Sequence, residues 1–93
     1  MSNRRSDRSR AGNLLNAQLR DEVFKRILPL GVTGVRKSAL VKKFVDGNPL
    51  DEENRRPLNR LTEALATLVN QKSLRYVRTP YAPEVTYFPV VQG

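Results

Sequence analysis

Apolar residues in the N-terminal half of the chain recur at the spacing of an α-helix. After Asn13, large apolar side chains return every three or four positions, for example at Leu19, Val23 and Ile27. This period places them on one helical face, and asparagine accepts a hydrogen bond well at a helix N-terminus. The pattern therefore predicts a first helix over about residues 14–28 that follows an asparagine cap.

A glycine-containing stretch separates this helix from a second one. Residues 31–35 read GVTGV, in which glycines and β-branched residues favour a short extended segment. Leu40, Val41 and Phe44 then share one side of a predicted second helix at about 36–45.

The longest helical pattern lies in the second half of the chain. Its apolar residues form a single stripe at Leu58, Leu61, Ala64, Leu65, Leu68 and Val69. Pro57 must lie in the first turn, where a missing amide proton costs little. The third helix is therefore expected to begin near Asn54, with an earlier turn from Asp51 as an alternative, and to end near Lys72.

The C-terminal residues change to a period of two. Polar and apolar residues alternate over 74–78, and a β-branched and aromatic run covers 85–90. Pro80 and Pro83 lie between these runs, so the pattern predicts a β-hairpin. The expected fold class is α+β, mostly α, with three helices and a C-terminal hairpin in one domain over residues 13–93.

The first 12 residues differ from the rest in having no large apolar residue after Met1. Such a segment cannot bury a core and is expected to be disordered by itself. It is either a solubilising tail or an arm that lies along phosphates or enters a minor groove. In the second interpretation the contacts come from its arginines, Arg4, Arg5, Arg8 and Arg10.

The charge balance points to a polyanionic partner. Lys and Arg number 17 against 9 Asp and Glu, which gives a net charge of +8. This excess favours DNA, RNA or anionic lipid. The absence of cysteine and histidine excludes disulfides, thiolate zinc sites and imidazole catalysis. We therefore expect no enzyme activity, no cofactor and no metal site, and, without a long apolar run, a cytoplasmic location (nucleoid-associated in a prokaryote).

The order of helix, short strand, helix, long helix and hairpin resembles the winged helix-turn-helix family. The resemblance is carried by VRKSALVKKFV for the second helix, RPLNRLTEALATLVNQKSL for the third and RYVRTPYAPEVTYFPV for the hairpin. It implies that the third helix enters the major groove of DNA and that the hairpin, or wing, touches the backbone or minor groove. One departure is the long acidic link between the second and third helices, at about 46–54.

Three groups of residues are the candidate contacts. The outward side of the third helix carries Arg55, Arg56, Asn59, Arg60, Glu63 and Thr67, of which arginine and asparagine suit base edges. The start of the second helix, Arg36, Lys37 and Ser38, suits a phosphate. The wing contributes Arg75, Arg78 and Tyr81. In each case the alternative is an ordinary solvated surface.

The sequence thus predicts a sequence-specific protein for double-stranded DNA, either a transcriptional regulator or a plasmid or viral partition-type protein. An RNA-binding or ribosome-associated winged domain and a protein-docking module remain alternatives. A homodimer is expected through the leucines of the first helix, Leu14, Leu15 and Leu19.

Overall fold

The computed structural model describes residues 10–78, 80 and 84–90. In chain order the elements are α1 (Arg10–Asn13), α2 (Asn16–Ile27), a 3₁₀ segment (Leu28–Thr33), β1 (Val35–Arg36), α3 (Lys37–Phe44), a 3₁₀ turn (Glu52–Asn54), α4 (Arg55–Asn70), β2 (Leu74–Arg78) and β3 (Val85–Pro89). The fold is α+β and mostly α, as expected. Within the described part of the chain, no helix has the length and hydropathy needed to cross a membrane.

The three strands form one antiparallel sheet in the order β1-β3-β2. Tyr87 of β3 lies opposite Val35 of β1 on one side and opposite Tyr76 of β2 on the other. The hairpin is therefore joined to the helical part of the molecule by β1, which immediately precedes α3.

The hydrophobic core lies between α2, α3, α4 and the start of β2. Fully or almost fully buried side chains include Leu19, Val23, Ile27, Leu40, Phe44, Leu61, Leu65, Leu68 and Leu74. Burial of one such side chain stabilises a fold by roughly 1.5–3 kcal/mol. Because the leucine stripe of α4 is buried in this core, the opposite side of α4 faces solvent.

The predicted second and third helices and both hairpin strands are confirmed to within a few residues. The 3₁₀ turn ends at the expected start of α4, Asn54. The Asn54 side chain, however, does not cap the helix: its Nδ2 donates to the carbonyl oxygen of Asn48 at 2.7 Å, and its buried Oδ1 accepts no hydrogen bond from the residues that the structure describes. The predicted extended stretch at 31–35 is mostly wrong: 3₁₀ turns, broken by the non-helical backbone of Gly31 (φ 52°, ψ −128°), reach Thr33, and only Val35 belongs to a strand.

The predicted first helix is interrupted. Asn13 does not cap it but ends α1, and the extended backbone of Leu15 (φ −64°, ψ 156°) starts α2. The amide of Leu15 donates to Oε1 of Gln18 at 3.1 Å, which satisfies a backbone group at this start.

The predicted boundary of the disordered arm is also wrong. Ala11 is completely buried in the core, and Gly12 is buried beside it. These residues belong to the folded domain because their small side chains allow α1 to pack closely against the larger helices. The arm residues 1–9, with Arg4, Arg5 and Arg8, lie outside the described residues.

Gly34 fixes the distance between the helical part and the sheet. Its φ is +69°, and a Cβ atom there would lie 2.6 Å from Cε1 of Phe88 and 2.8 Å from the carbonyl oxygen of Tyr87. Only glycine tolerates both the left-handed backbone and this approach. Gly34 therefore permits the pairing of β1 with β3 that holds the hairpin in place.

Candidate nucleic-acid interface

The solvent-facing side of α4 is a continuous polar surface. Arg55, Arg56, Asn59 and Glu63 are exposed, and the last three follow each other at helical spacings of three and four residues. A helix of 16 residues is about 24 Å long. This side of α4 therefore presents cations, an amide and a carboxylate to solvent. The leucines on the opposite side of the helix pack into the core.

Arg60 departs from the predicted orientation. Its guanidinium donates to the carbonyl oxygen of Gly12 at 3.1 Å, to the carbonyl oxygen of Leu14 and to Oδ1 of Asn16 at 2.9 Å. The expectation that Arg60 points outward to read bases is wrong, because its donors bind the junction between α1 and α2. Thr67 is half-buried and lies with Arg60 and the exposed Glu63 beside a depression of about 270 Å³ between α2 and α4.

On the other side of α4, a groove of about 330 Å³ separates this helix from the hairpin. We call it the α4–hairpin groove. Lys37 and Arg78 contribute cations to its walls, and Thr62 and Asn70 contribute polar groups from α4. Two residues from different predicted groups, one at the start of α3 and one on the wing, are thus brought to the edge of the same helix.

Sequence reasoning did not single out three residues of this surface: Thr62, Ala66 and Asn70. All three are exposed, and they follow one another at intervals of four residues. Ala66 also borders the depression between α2 and α4. The exposed side of α4 therefore lies between that depression and the α4–hairpin groove. Extending the helical spacing from Asn59 by 3, 7 and 11 residues would have found them.

At the start of α3, Ser38 forms hydrogen bonds with the carboxylate of Glu84. Oγ of Ser38 donates to Oε2 of Glu84 at 3.0 Å, and the Ser38 amide lies 3.4 Å from Oε1. The predicted phosphate contact of Ser38 therefore does not fit this structure, because the acceptor is Glu84, just before β3. Of the other two residues in this group, Arg36 is exposed and Lys37 faces the α4–hairpin groove.

The two predicted wing arginines lie on opposite faces of the hairpin. Arg75 pairs across the strands with Phe88, and its guanidinium carbon lies 4.5 Å from the centre of that ring, a cation–π contact. Arg78 faces the α4–hairpin groove instead. Tyr81, the third predicted wing contact, lies outside the described residues.

Two tyrosines connect the groove to the core. The ring centroids of Tyr76 and Tyr87 are 6.3 Å apart with a tilt of 48°. Partial burial raises the pKa of Tyr87 above its usual 10.0, and the neighbouring Tyr76 adds to this rise while Arg78 opposes it. Tyr87 is therefore the aromatic residue through which this face of the hairpin packs against the core.

The predicted leucine dimer interface is not present as one surface. Leu19 is 1% exposed and belongs to the core, and Leu14 packs against that core. Leu15 alone of the three projects into solvent, at 70% exposure. The expectation for Leu14 and Leu19 is wrong because the core of the same chain takes up Leu19 and packs against Leu14.

No group of three or more potential metal ligands lies together among the residues that the structure describes. Comparison of the chain with protein-family models, with curated proteins and with solved structures finds no match. The functional conclusion therefore rests on geometry and charge.

Proposed function

We propose that this chain binds double-stranded DNA sequence-specifically as a winged helix-turn-helix protein, with α4 in the major groove. The observation that carries the proposal is the arrangement of the exposed side of α4 beside Lys37 and Arg78. It supplies base-reading side chains in the centre and phosphate-binding cations at one edge.

The topology supports this proposal. A short strand lies between two helices, a longer helix follows, and a hairpin joins the short strand in the sheet order β1-β3-β2. This order holds the hairpin next to α4. In the winged family that arrangement lets the wing contact DNA beside the helix that enters the groove.

The chemistry of α4 suits direct reading of base edges. The major groove of B-DNA, about 12 Å wide, admits an α-helix, and its donors and acceptors differ for every base pair. Arg56 can donate two hydrogen bonds to guanine, Asn59 can pair with adenine, and Glu63 can accept from cytosine. All three are exposed and lie on one side of α4.

Lys37 and Arg78 have a different role in the proposal. As single cations at the edge of α4, they contact phosphates and fix the position of the protein without reading sequence. Such contacts release counterions, so binding must weaken steeply as the salt concentration rises.

Arg60 acts in this proposal as a positioning residue. By holding the junction of α1 and α2 against α4, it fixes where the arm leaves the folded domain, next to Arg10, whose side chain lies outside the described part of the structure. Arginines at positions 4, 5 and 8 then contact adjacent phosphates or the minor groove, as expected for an arginine-rich arm.

The proposal is tested by selecting bound sequences from a random duplex pool and measuring affinity by fluorescence anisotropy at fixed salt. Asn59→Ala should weaken binding to the selected duplex by about tenfold or more and change binding to random duplex little. Lys37→Ala and Arg78→Ala should weaken binding to both. Lys72→Ala, at an exposed position in the turn after α4, is the matched control and should leave both affinities unchanged.

Two results would contradict the proposal. One is a selection that returns no preferred sequence. The other is a structured RNA that displaces the selected duplex at equal concentration and salt, which would favour the RNA-binding alternative.

A further inference from the structure

A second groove lies on the other side of α3, between this helix and the end of α2. We call it the α2–α3 groove. Its volume is about 490 Å³, and Pro29, Leu30, Ala39 and Leu40 give it an apolar lining. Leu30 is 38% exposed. The groove shares no lining residue with the α4–hairpin groove and belongs to a different face of the molecule.

The rim of the α2–α3 groove is cationic. Lys25 and Arg26 border it from the last turn of α2, and Lys42 and Lys43 border it from the last turn of α3. Lys25 is paired with Asp21, 3.0 Å away on the same helix, and both side chains are more than half exposed. An apolar lining with a cationic rim suits a ligand that offers an apolar side chain next to carboxylates.

The same chain displays such a segment in the link between α3 and α4. Leu50 is 88% exposed, so its side chain is accessible to a second molecule. Asp51 and Glu52 follow it directly and are also exposed. Leu50 does not line the α2–α3 groove of its own chain.

Leu50 is held in a defined position by Asn48. The amide of Leu50 donates to Oδ1 of Asn48 at 3.0 Å, and the amide of Asp51 donates to the Asn48 carbonyl at 3.1 Å. The completely buried Asn54 anchors this same carbonyl at 2.7 Å. A segment that is ordered before binding loses less conformational entropy when it binds.

We propose that the α2–α3 groove of one copy of this protein binds the Leu50–Glu52 segment of a second copy. Leu50 enters the apolar lining, and Asp51 and Glu52 approach the cationic rim. The contact is between two different surfaces of the same chain, so it requires no nucleic acid and does not depend on the proposed DNA binding.

The contact is expected to be weak. Three residues in one groove bury less than the about 1,200 Å² typical of stable complexes. Self-association is therefore expected at concentrations from about 100 μM upward and should weaken with salt. On a DNA molecule that holds two copies side by side, the effective concentration would be higher and the contact correspondingly more populated.

The test is sedimentation equilibrium of the full chain without nucleic acid, from about 20 μM to 1 mM. Leu50→Ser should lower the association constant by about tenfold or more, because burial of the leucine is lost. Leu15→Ser is the matched control: it removes another exposed leucine, 70% exposed, at a position where serine is a favourable helix cap. It should leave association unchanged.

A charge exchange tests the pairing directly. Lys42→Glu with Lys43→Glu should abolish association, as should Asp51→Lys with Glu52→Lys, because each places like charges in contact. An equimolar mixture of these two variants, or a single chain with all four changes, should associate again. Lys72→Glu, which changes the net charge outside the groove, should associate like the original chain.

The proposal is overturned if the original chain stays monomeric at 1 mM, if Leu15→Ser disrupts association and Leu50→Ser does not, or if mixing the two charge variants restores nothing. It is also overturned if the Lys42 and Lys43 changes weaken duplex binding while association is unaffected, since the groove would then bind phosphate. None of these results bears on the role of Asn59, so the DNA proposal is tested independently by duplex selection and Asn59→Ala.

Discussion

Arg56 and Arg60 lie one turn apart on α4, yet they differ in what they can do. Arg56 is exposed on the solvent side, whereas Arg60 is half-buried and binds three acceptors at the junction of α1 and α2. Residues four apart differ by only about 40° around a helix. A helical pattern thus locates a surface, but what packs beside its edge decides which side chains are free to bind a partner.

The largest expected effect on stability comes from removing the inward-facing arginine. Arg60→Ala should lower the free energy of unfolding by about 2 kcal/mol, since hydrogen bonds from a charged donor contribute more than neutral ones and part-buried carbonyls are left without a partner. Urea unfolding followed by circular dichroism measures the change. Arg60→Lys should restore little, because an ammonium group does not reproduce the planar fork.

Arg56→Ala is the matched control for that measurement and should change the unfolding free energy by less than about 0.5 kcal/mol. Equal destabilisation by both variants would show that the two arginines do not differ as the structure indicates.

Arg56, which should contribute little to stability, is expected to contribute to DNA binding. Arg56→Ala should reduce affinity for a selected duplex by about 1–3 kcal/mol, or roughly fivefold to 150-fold, through loss of a base contact. Anisotropy titrations with selected and random duplexes measure this effect. An equal loss on both duplexes would reassign Arg56 to the phosphates.

A smaller effect is expected at the tether between α3 and the hairpin. Glu84→Gln and Ser38→Ala should each cost about 1 kcal/mol or less, because both groups are exposed and the hydrogen bond is partly replaced by water. Urea unfolding of the two single variants and of the double variant measures the coupling. Additive losses would mean that the two side chains do not stabilise the fold through each other.

The smallest expected effect is the pH dependence contributed by Tyr87. Its pKa is raised in the folded state, so the neutral phenol is favoured there. This contribution is fully present below the unfolded value of 10.0 and is lost as the pH rises through the folded pKa. The unfolding free energy should therefore fall more steeply between pH 9 and 11 than in Tyr87→Phe. The same pH dependence of the unfolding free energy in both proteins would contradict this contribution of Tyr87.

Periodic elements could be predicted from the sequence, and contacts between distant residues could not. The leucine stripe of α4 and the alternation in β2 and β3 are repeated signals, so those elements were predicted closely. Helix α1 has four residues and no period to detect, and its burial depends on the small Ala11.

The corrections at Arg60 and Ser38 have the same origin. Arg60 binds acceptors 44 to 48 positions away, and Ser38 binds Glu84 46 positions away. Neither partner lies in the same local pattern as the residue it binds. The exposed Arg56 and Asn59 were predicted correctly as surface residues because only the helix period decides their direction.

The position of β2 at the edge of the sheet has a consequence for solubility. Among the residues that the structure describes, this strand pairs only with β3, and it exposes Tyr76 and Val77 to about half of their surface. An edge strand with such residues is a template for aggregation, and flanking charges are a common protection. Arg75 and Arg78 supply those charges, so variants that neutralise both should be checked for precipitation before any loss of binding is assigned to a missing contact.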